Sequence, residues 1–165
     1  MNSRPLVIIL MGSDSDRQHC AEIVEALNQF GIESTQRIAS AHKTPARLLE
    51  ILREHEAGAG PRVYITVAGR SNALSGMVDA AVLSPVIACP PPSQAYGGAD
   101  IYSSLRMPSG VAPGLVLEPA NAALAAAKML ALGEPALLEK IADLQQANQR
   151  KLDAADAKIR EDTNS

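Results

Sequence analysis

The sequence predicts an α/β fold: a three-layer αβα sandwich around a flavodoxin-like parallel sheet of about five strands, with a long C-terminal helix. Three observations lead there. Short apolar runs alternate with stretches of helical periodicity from residue 6 onward. Glycine and proline punctuate the changes. The 165 residues suit one ordinary domain with an appendage.

Each element has its own signal. Leu6–Met11 (LVIILM) lies between Pro5 and Gly12 and reads as a buried strand. Ser15–Phe30 places Cys20, Ile23, Val24, Leu27 and Phe30 at helical spacing, and Gly31 ends it. Ile32–Ile38 fits a second, more polar strand. Thr44 as N-cap and Pro45 at the first helical position open a helix to about Ala57. After the Gly58–Pro61 turn, Val63–Ala68 is the third strand. A small-residue helix follows over about Ala73–Leu83, then a short strand over Val86–Cys89, which Pro90, Pro91 and Pro92 stop. A loop-rich passage with a short helix near Ala99–Leu105 leads to a fifth strand at Leu115–Leu117. Pro119 starts an Ala-rich helix ending near Gly133. The tail, Pro135–Arg160, has a narrow apolar stripe at Leu137, Ile141, Leu144, Leu152, Ala155 and Ile159. Such a helix can lie on its own domain or reach across to another subunit.

Composition narrows the function. Apolar residues make up 47% and charged residues 20%, which excludes wholesale disorder. With no Trp, one Phe and three Tyr, the core must be built from Ala, Leu, Ile and Val. Fifteen basic against eighteen acidic residues give a net charge of −3. There is no basic stripe or aromatic platform for polymeric nucleic acid. The N-terminal apolar run is far shorter than the ~20 residues that span a bilayer and lacks a cleavage site, so no membrane partner is expected. Cys20 and Cys89 have neither metal-ligand nor disulfide-framework spacing, and the chain reads as cytoplasmic.

In open parallel sheets, ligands bind beyond the carboxyl ends of the strands. Three polar loops fall there: Gly12–Asp16, Ser40–Pro45 and Gly69–Asn72. In the first, Asp14 and Asp16 would repel a phosphate but suit sugar hydroxyls, leaving Ser13 and backbone N–H groups for an anion. Capping by Ser13 or Asp14 alone would explain one or two of these residues, not all five. His42 is the leading proton-transfer candidate. It follows a strand and precedes a helix N-terminus, whose dipole favours neutral imidazole; a bound phosphate pushes the other way. His19, among polar neighbours, and His55, near a helix end, read as solvated surface residues. Lys43 and Arg70 are the cations placed to reach a phosphate from two loops, although either alone reads equally as a surface charge. Asn72 offers a donor and an acceptor, or simply forms a turn. Cys89 reads as a small buried hydrophobe rather than a nucleophile. No metal cluster is visible. These residues suit an enzyme handling an anionic, hydroxylated small molecule by proton transfer. The competing class, a receiver-like or flavin-binding module, would want an acidic residue after the third strand or aromatic stacking partners. The sequence has Ala68-Gly69-Arg70-Ser71 there and few aromatics.

Met11–Asp16, Ser40–Pro45, Ala68–Gly76, Ser103–Gly110 and Asn121–Ala123 together resemble the PurE family of purine biosynthesis. Class I members are mutases that move a carboxylate from N5 to C4 of an aminoimidazole ribonucleotide, and usually carry Ser-Ala-His-Arg and Gly-Gly-Ala-Ala-His-Leu-Pro-Gly. Class II members carboxylate 5-aminoimidazole ribonucleotide (AIR) with CO2 to give the 4-carboxylate (CAIR). Lys43, and Arg70–Gly76 in place of the second motif, look like class II. The resemblance implies a nucleotide-binding catalytic domain over 1–133 and a helical extension over 134–165. It implies His42 as the base, with Ser13, Asp16 and Lys43 holding the ribose phosphate part and Gly12 and Ser40 also binding substrate. Gly69, Arg70, Ser71 and Asn72 would line the base and CO2 pocket. It further implies no cofactor, and a homo-oligomer, tetramer or octamer, with Pro90–Ala99 and Leu105–Gly110 contributing from a neighbour.

Overall fold

The computed structural model describes residues 4–93, 95 and 97–163. Gln94 and Tyr96 of the Pro90–Ala99 stretch, Met1–Ser3, and Asn164 and Ser165 of the expected extension lie outside the described residues.

Strands β1 (Leu6–Met11), β2 (Glu33–Ile38), β3 (Arg62–Val67), β4 (Val86–Ala88) and β5 (Gly114–Leu115) form one parallel sheet in the order β2-β1-β3-β4-β5. β1 pairs along its whole length with both neighbours, Met11 opposite Ile38 on one side and Val67 on the other. The chain therefore steps outward from β1 to β2, then back across to β3. That reversal makes a crevice between the carboxyl ends of β1 and β3, where this class of sheet binds its ligands.

Pleating divides the strand residues between two cores. Val7, Ile9 and Met11 of β1 join Val63, Ile65 and Val67 of β3 on one face. Helices α1 (Arg17–Gln29) and α5 (Pro119–Leu130) cover that face, through Cys20, Ile23 and Leu27 and through Ala122, Ala123, Ala126 and Ala127. The α5 alanines let its backbone come close, as a core poor in aromatics requires. Ile8, Leu10 and Tyr64 face the other way, under α2 (Pro45–Glu56) and α3 (Ala73–Asp79), which bring Leu48, Ile51, Leu52, Leu74 and Val78. Each such side chain contributes about 1.5–3 kcal/mol on burial.

Several boundaries differ from the sequence reading. A 3-10 turn at Asp14–Asp16 precedes α1, because Ser13 caps the turn rather than the helix. Thr44 is the N-cap of α2, but its hydroxyl turns back to Ser40, accepting from the Ser40 N–H at 3.0 Å and donating to the Ser40 carbonyl at 3.3 Å. α3 ends at Asp79, short of Leu83. The Glu56 carboxylate, accepting from the Leu83 N–H at 3.4 Å and the Ser84 hydroxyl at 2.9 Å, takes that segment out of helical geometry and leaves Leu83 exposed. β5 is shifted to Gly114–Leu115 because β4, its partner, ends at Ala88. A 3-10 turn at Ala99–Ile101 and α4 (Tyr102–Leu105) form the short helical passage.

The final helix, α6 (Ala136–Thr163), begins on its own domain. Leu137 and Ile141 are buried in the α1–α5 core, and Lys140 Nζ donates to the Phe30 carbonyl at 2.9 Å. Beyond Leu144 the stripe runs out onto the surface, with Leu152 and Ile159 exposed. No helix among the described residues is long and apolar enough to cross a membrane.

Candidate active site

The loops leaving β1, β2 and β3 converge on one cleft of about 550 Å³. Its lining includes Gly12, Ser13, Asp16, Ser40, His42, Lys43, Gly69, Arg70 and Ser71. The convergence follows from topology: three adjacent parallel strands end together, and each ends in a loop too polar to continue the sheet.

The first loop is pinned at both ends. The Gly12 N–H donates to the Val67 carbonyl at 2.9 Å, extending the β1–β3 ladder. Ser13 Oγ accepts from the Ser15 N–H at 3.3 Å and the Ser15 hydroxyl at 3.0 Å. Asp14 does not line the cleft; its carboxylate is paired with Arg17 on the surface. Only one of the two acidic charges expected to oppose a phosphate therefore faces the site. Burial pushes the Asp16 carboxyl above its ordinary range. Hydrogen bonding to Ser13 and Ser15 and the nearby His19 and Arg70 side chains pull it back. Arg70, from the β3 loop, thus acts on a carboxylate from the β1 loop.

In the second loop, the Lys43 N–H donates to Ser40 Oγ at 3.2 Å and the Thr44 N–H to the Ser40 carbonyl at 2.9 Å. This tight turn presents His42 and Lys43 outward, both exposed, at the mouth of the cleft. An imidazole with open faces can take up or release a proton on a bound molecule.

The third loop holds the strained point of the chain. Arg70 has φ 60°, the one non-glycine residue with positive φ among the described residues, a left-handed conformation costing roughly 1 kcal/mol or more for a side chain of this kind. Asn72 stands apart from the other site candidates. It is buried and does not line the cleft. Its Oδ1 accepts from the Ser75 N–H at 3.2 Å and caps α3, while its Nδ2 donates to Ser104 Oγ at 2.8 Å. With its amide spent on the chain, Asn72 shapes the loop rather than meeting a ligand.

Sequence reasoning missed other lining residues. Pro91, Pro92, Ser93 and Ala95, from the stretch expected to contribute from a neighbour, close one side of this chain's own cleft. The triple proline was the available signal. Leu105–Gly110 stays outside the lining, and Met107 lies against Gly76, where an added Cβ would meet its sulfur at 3.1 Å. His19 is not a solvated surface residue. It is half-buried, with Nε2 3.4 Å from Cys89 Sγ, and lines a second, smaller hollow of about 400 Å³ that shares Gly69, Pro91 and Pro92 with the main cleft. Burial pushes the Cys89 thiol up to about 12, so it is an inert thiol. His55 is half-buried as well, and burial lowers its pKa, the opposite of a charge held at a helix end. Among the described residues, no three His, Cys, Asp or Glu side chains gather as a metal site.

The doubly wound sheet and the polar cleft at its switch point define an α/β protein of the class that binds small molecules at the carboxyl ends of its strands. Residues 6–151 match the AIR carboxylase family, and the chain belongs to that family. It is 53% identical over 157 residues to a phosphoribosylaminoimidazole carboxylase of Treponema denticola, covering 95% of this chain and 99% of the relative. It is 54% identical to the corresponding carboxylase of Archaeoglobus fulgidus, over 93% of this chain and 84% of the relative. The crystal structure of Treponema denticola PurE superimposes with a TM-score of 0.93, over 94% of this chain and 99% of that one.

Proposed function

We propose that this protein carboxylates C4 of AIR directly with CO2, giving CAIR, in purine biosynthesis. The observation that supports it is the single cleft that gathers His42, Lys43, Asp16 and Ser13 on a chain of the AIR carboxylase family. The amino group makes C4 of the imidazole enamine-like, so this carbon attacks CO2 without further activation. The adduct carries both the carboxylate and the original hydrogen on a tetrahedral C4. His42 removes that proton, restoring aromaticity, and returns it in the reverse direction. Ser13, Asp16 and Lys43, with Gly12 and Ser40, hold the ribose phosphate. The Gly69–Ser71 loop lines the base and the CO2 pocket. The remaining contribution is orientation and exclusion of water around a weakly bound gas. The same reading makes the protein a cytoplasmic homo-oligomer that needs no ATP, biotin or metal, with α6 beyond Leu144 available to a second subunit.

The test is to supply the protein with AIR and bicarbonate, and separately with the N5-carboxy isomer. CAIR formed in the first mixture supports the carboxylase. Turnover in the second mixture alone would make the protein a mutase instead.

A further inference from the structure

We propose that Asp100 and Ser103 are positioning residues: from a segment thirty residues downstream, they clamp the backbone around Arg70 in its left-handed turn and so aim its side chain into the cleft. The peptide groups on both sides of the strained residue are engaged. The Arg70 N–H donates to Asp100 Oδ2 at 3.0 Å, and the Asn72 N–H donates to Ser103 Oγ at 2.9 Å. The Ser103 hydroxyl has one proton and two carbonyls in reach, that of Asp100 at 2.7 Å and that of Arg70 at 3.2 Å. Ser104 adds the bond to the Asn72 side chain at 2.8 Å, so a short stretch of the chain fixes the whole Gly69–Asn72 loop.

Without this clamp the loop lacks support for its left-handed turn. Arginine has neither the short polar side chain with which asparagine supports a left-handed turn locally nor glycine's freedom from a Cβ. A left-handed arginine persists only where its surroundings over-determine it. Here those surroundings are a carboxylate on the N–H of Arg70 itself and a hydroxyl relaying between the two segments. Asp100 does not line the main cleft and is separate from the groups assigned to the nucleotide. It belongs to the adjoining hollow, on the far side of Gly69. Its influence on turnover therefore passes through Arg70. The consequence for turnover rests on the carboxylase reading; the consequence for the loop does not.

The experiment compares D100A, D100N, R70A and the D100A/R70A double variant in full-length protein. Hydrogen exchange at the Arg70 and Asn72 amides accompanies steady-state kinetics with AIR and bicarbonate. D100A is expected to speed exchange at both amides and to raise KM for AIR about tenfold with kcat within about threefold. D100N keeps an oxygen that accepts the same N–H, and is expected to stay within about twofold of wild type in both measures. The double variant is expected to be no worse than R70A alone, because the two residues act in series. Unchanged amide exchange in D100A, equal losses in D100N and D100A, or additive losses in the double variant would overturn the clamp. Should wild-type protein leave AIR unchanged, the carboxylase reading fails, and amide exchange still decides the clamp.

Discussion

The two ends of the sheet use polar residues in opposite ways. At the amino end they are consumed by the chain itself. Glu56 accepts from the Tyr64 hydroxyl at 3.1 Å, the Ser84 hydroxyl at 2.9 Å and the Leu83 N–H at 3.4 Å, joining α2, β3 and the approach to β4. Arg62 donates to the carbonyls of Gly58 and Gly60, closing the turn before β3. At the carboxyl end, His42 and Lys43 are exposed at the cleft, and their loop is held by backbone and hydroxyl groups instead. The amino end spends these side chains on stability; the carboxyl end spends Asn72, Ser103 and Asp100 on its loops and leaves His42 and Lys43 open to the cleft. Substitutions at the two ends should therefore separate stability from turnover.

The largest separation is expected at His42. H42N should lower kcat by at least about a hundredfold, the usual size of a lost general base, with the melting temperature within about 2 °C of wild type. Steady-state rates and a thermal melt on the same sample check both halves. A rate near wild type would remove His42 from proton transfer and with it the sharpest contrast between the ends.

E56A is the mirror image. It leaves the buried Tyr64 hydroxyl without its acceptor and frees the Leu83–Ser84 segment. A loss of about 2 kcal/mol is expected, or about 6 °C in melting temperature for a chain of this size. KM and kcat at 25 °C should not move. A smaller effect is expected from K43M: KM for AIR up about tenfold with stability unchanged, since the ammonium is exposed and its loss would remove the phosphate contact proposed for it. An unchanged KM would mean that Lys43 is only a surface charge.

The same contrast explains what could be read from the sequence. β1 and the three polar loops were legible because the relevant signal is local: an apolar run ended by a glycine, or a polar cluster after a strand. That local signal placed the candidate lining residues in one cleft, apart from Asp14 and Asn72. Asn72 was half legible: a turn-forming asparagine that caps α3 is a local signal, but its bond to Ser104 forms only after the chain has passed through β4. Asp100 and Ser103 were hidden for the same reason. His19 has polar sequence neighbours and reads as solvated, yet β4 brings Cys89 against it. The extent of β5 was set by where its partner stops, which no pattern within residues 114–117 records. Long-range pairing, not propensity, decided each of these.

The smallest expected effect falls where the two uses of polar groups meet, at Asp16. Its carboxyl is shifted upward chiefly by burial. A raised carboxyl pKa means that the folded chain holds the proton more tightly than the unfolded chain. Stability from this group is therefore fully present below the ordinary carboxylate range and is lost as pH rises through the folded-state value. At neutral pH the folded protein bears the cost of a partly buried charge at the residue proposed to hold the ribose phosphate. D16N removes that cost. Its melting temperature should lie slightly above wild type at pH 7, the gap closing as both are acidified below the ordinary carboxylate range, while KM for AIR rises. Melting curves across pH for the two proteins check the sign. A D16N protein less stable than wild type at pH 7 would mean that Asp16 works as Glu56 does, and the division between the two ends of the sheet would not hold at this residue.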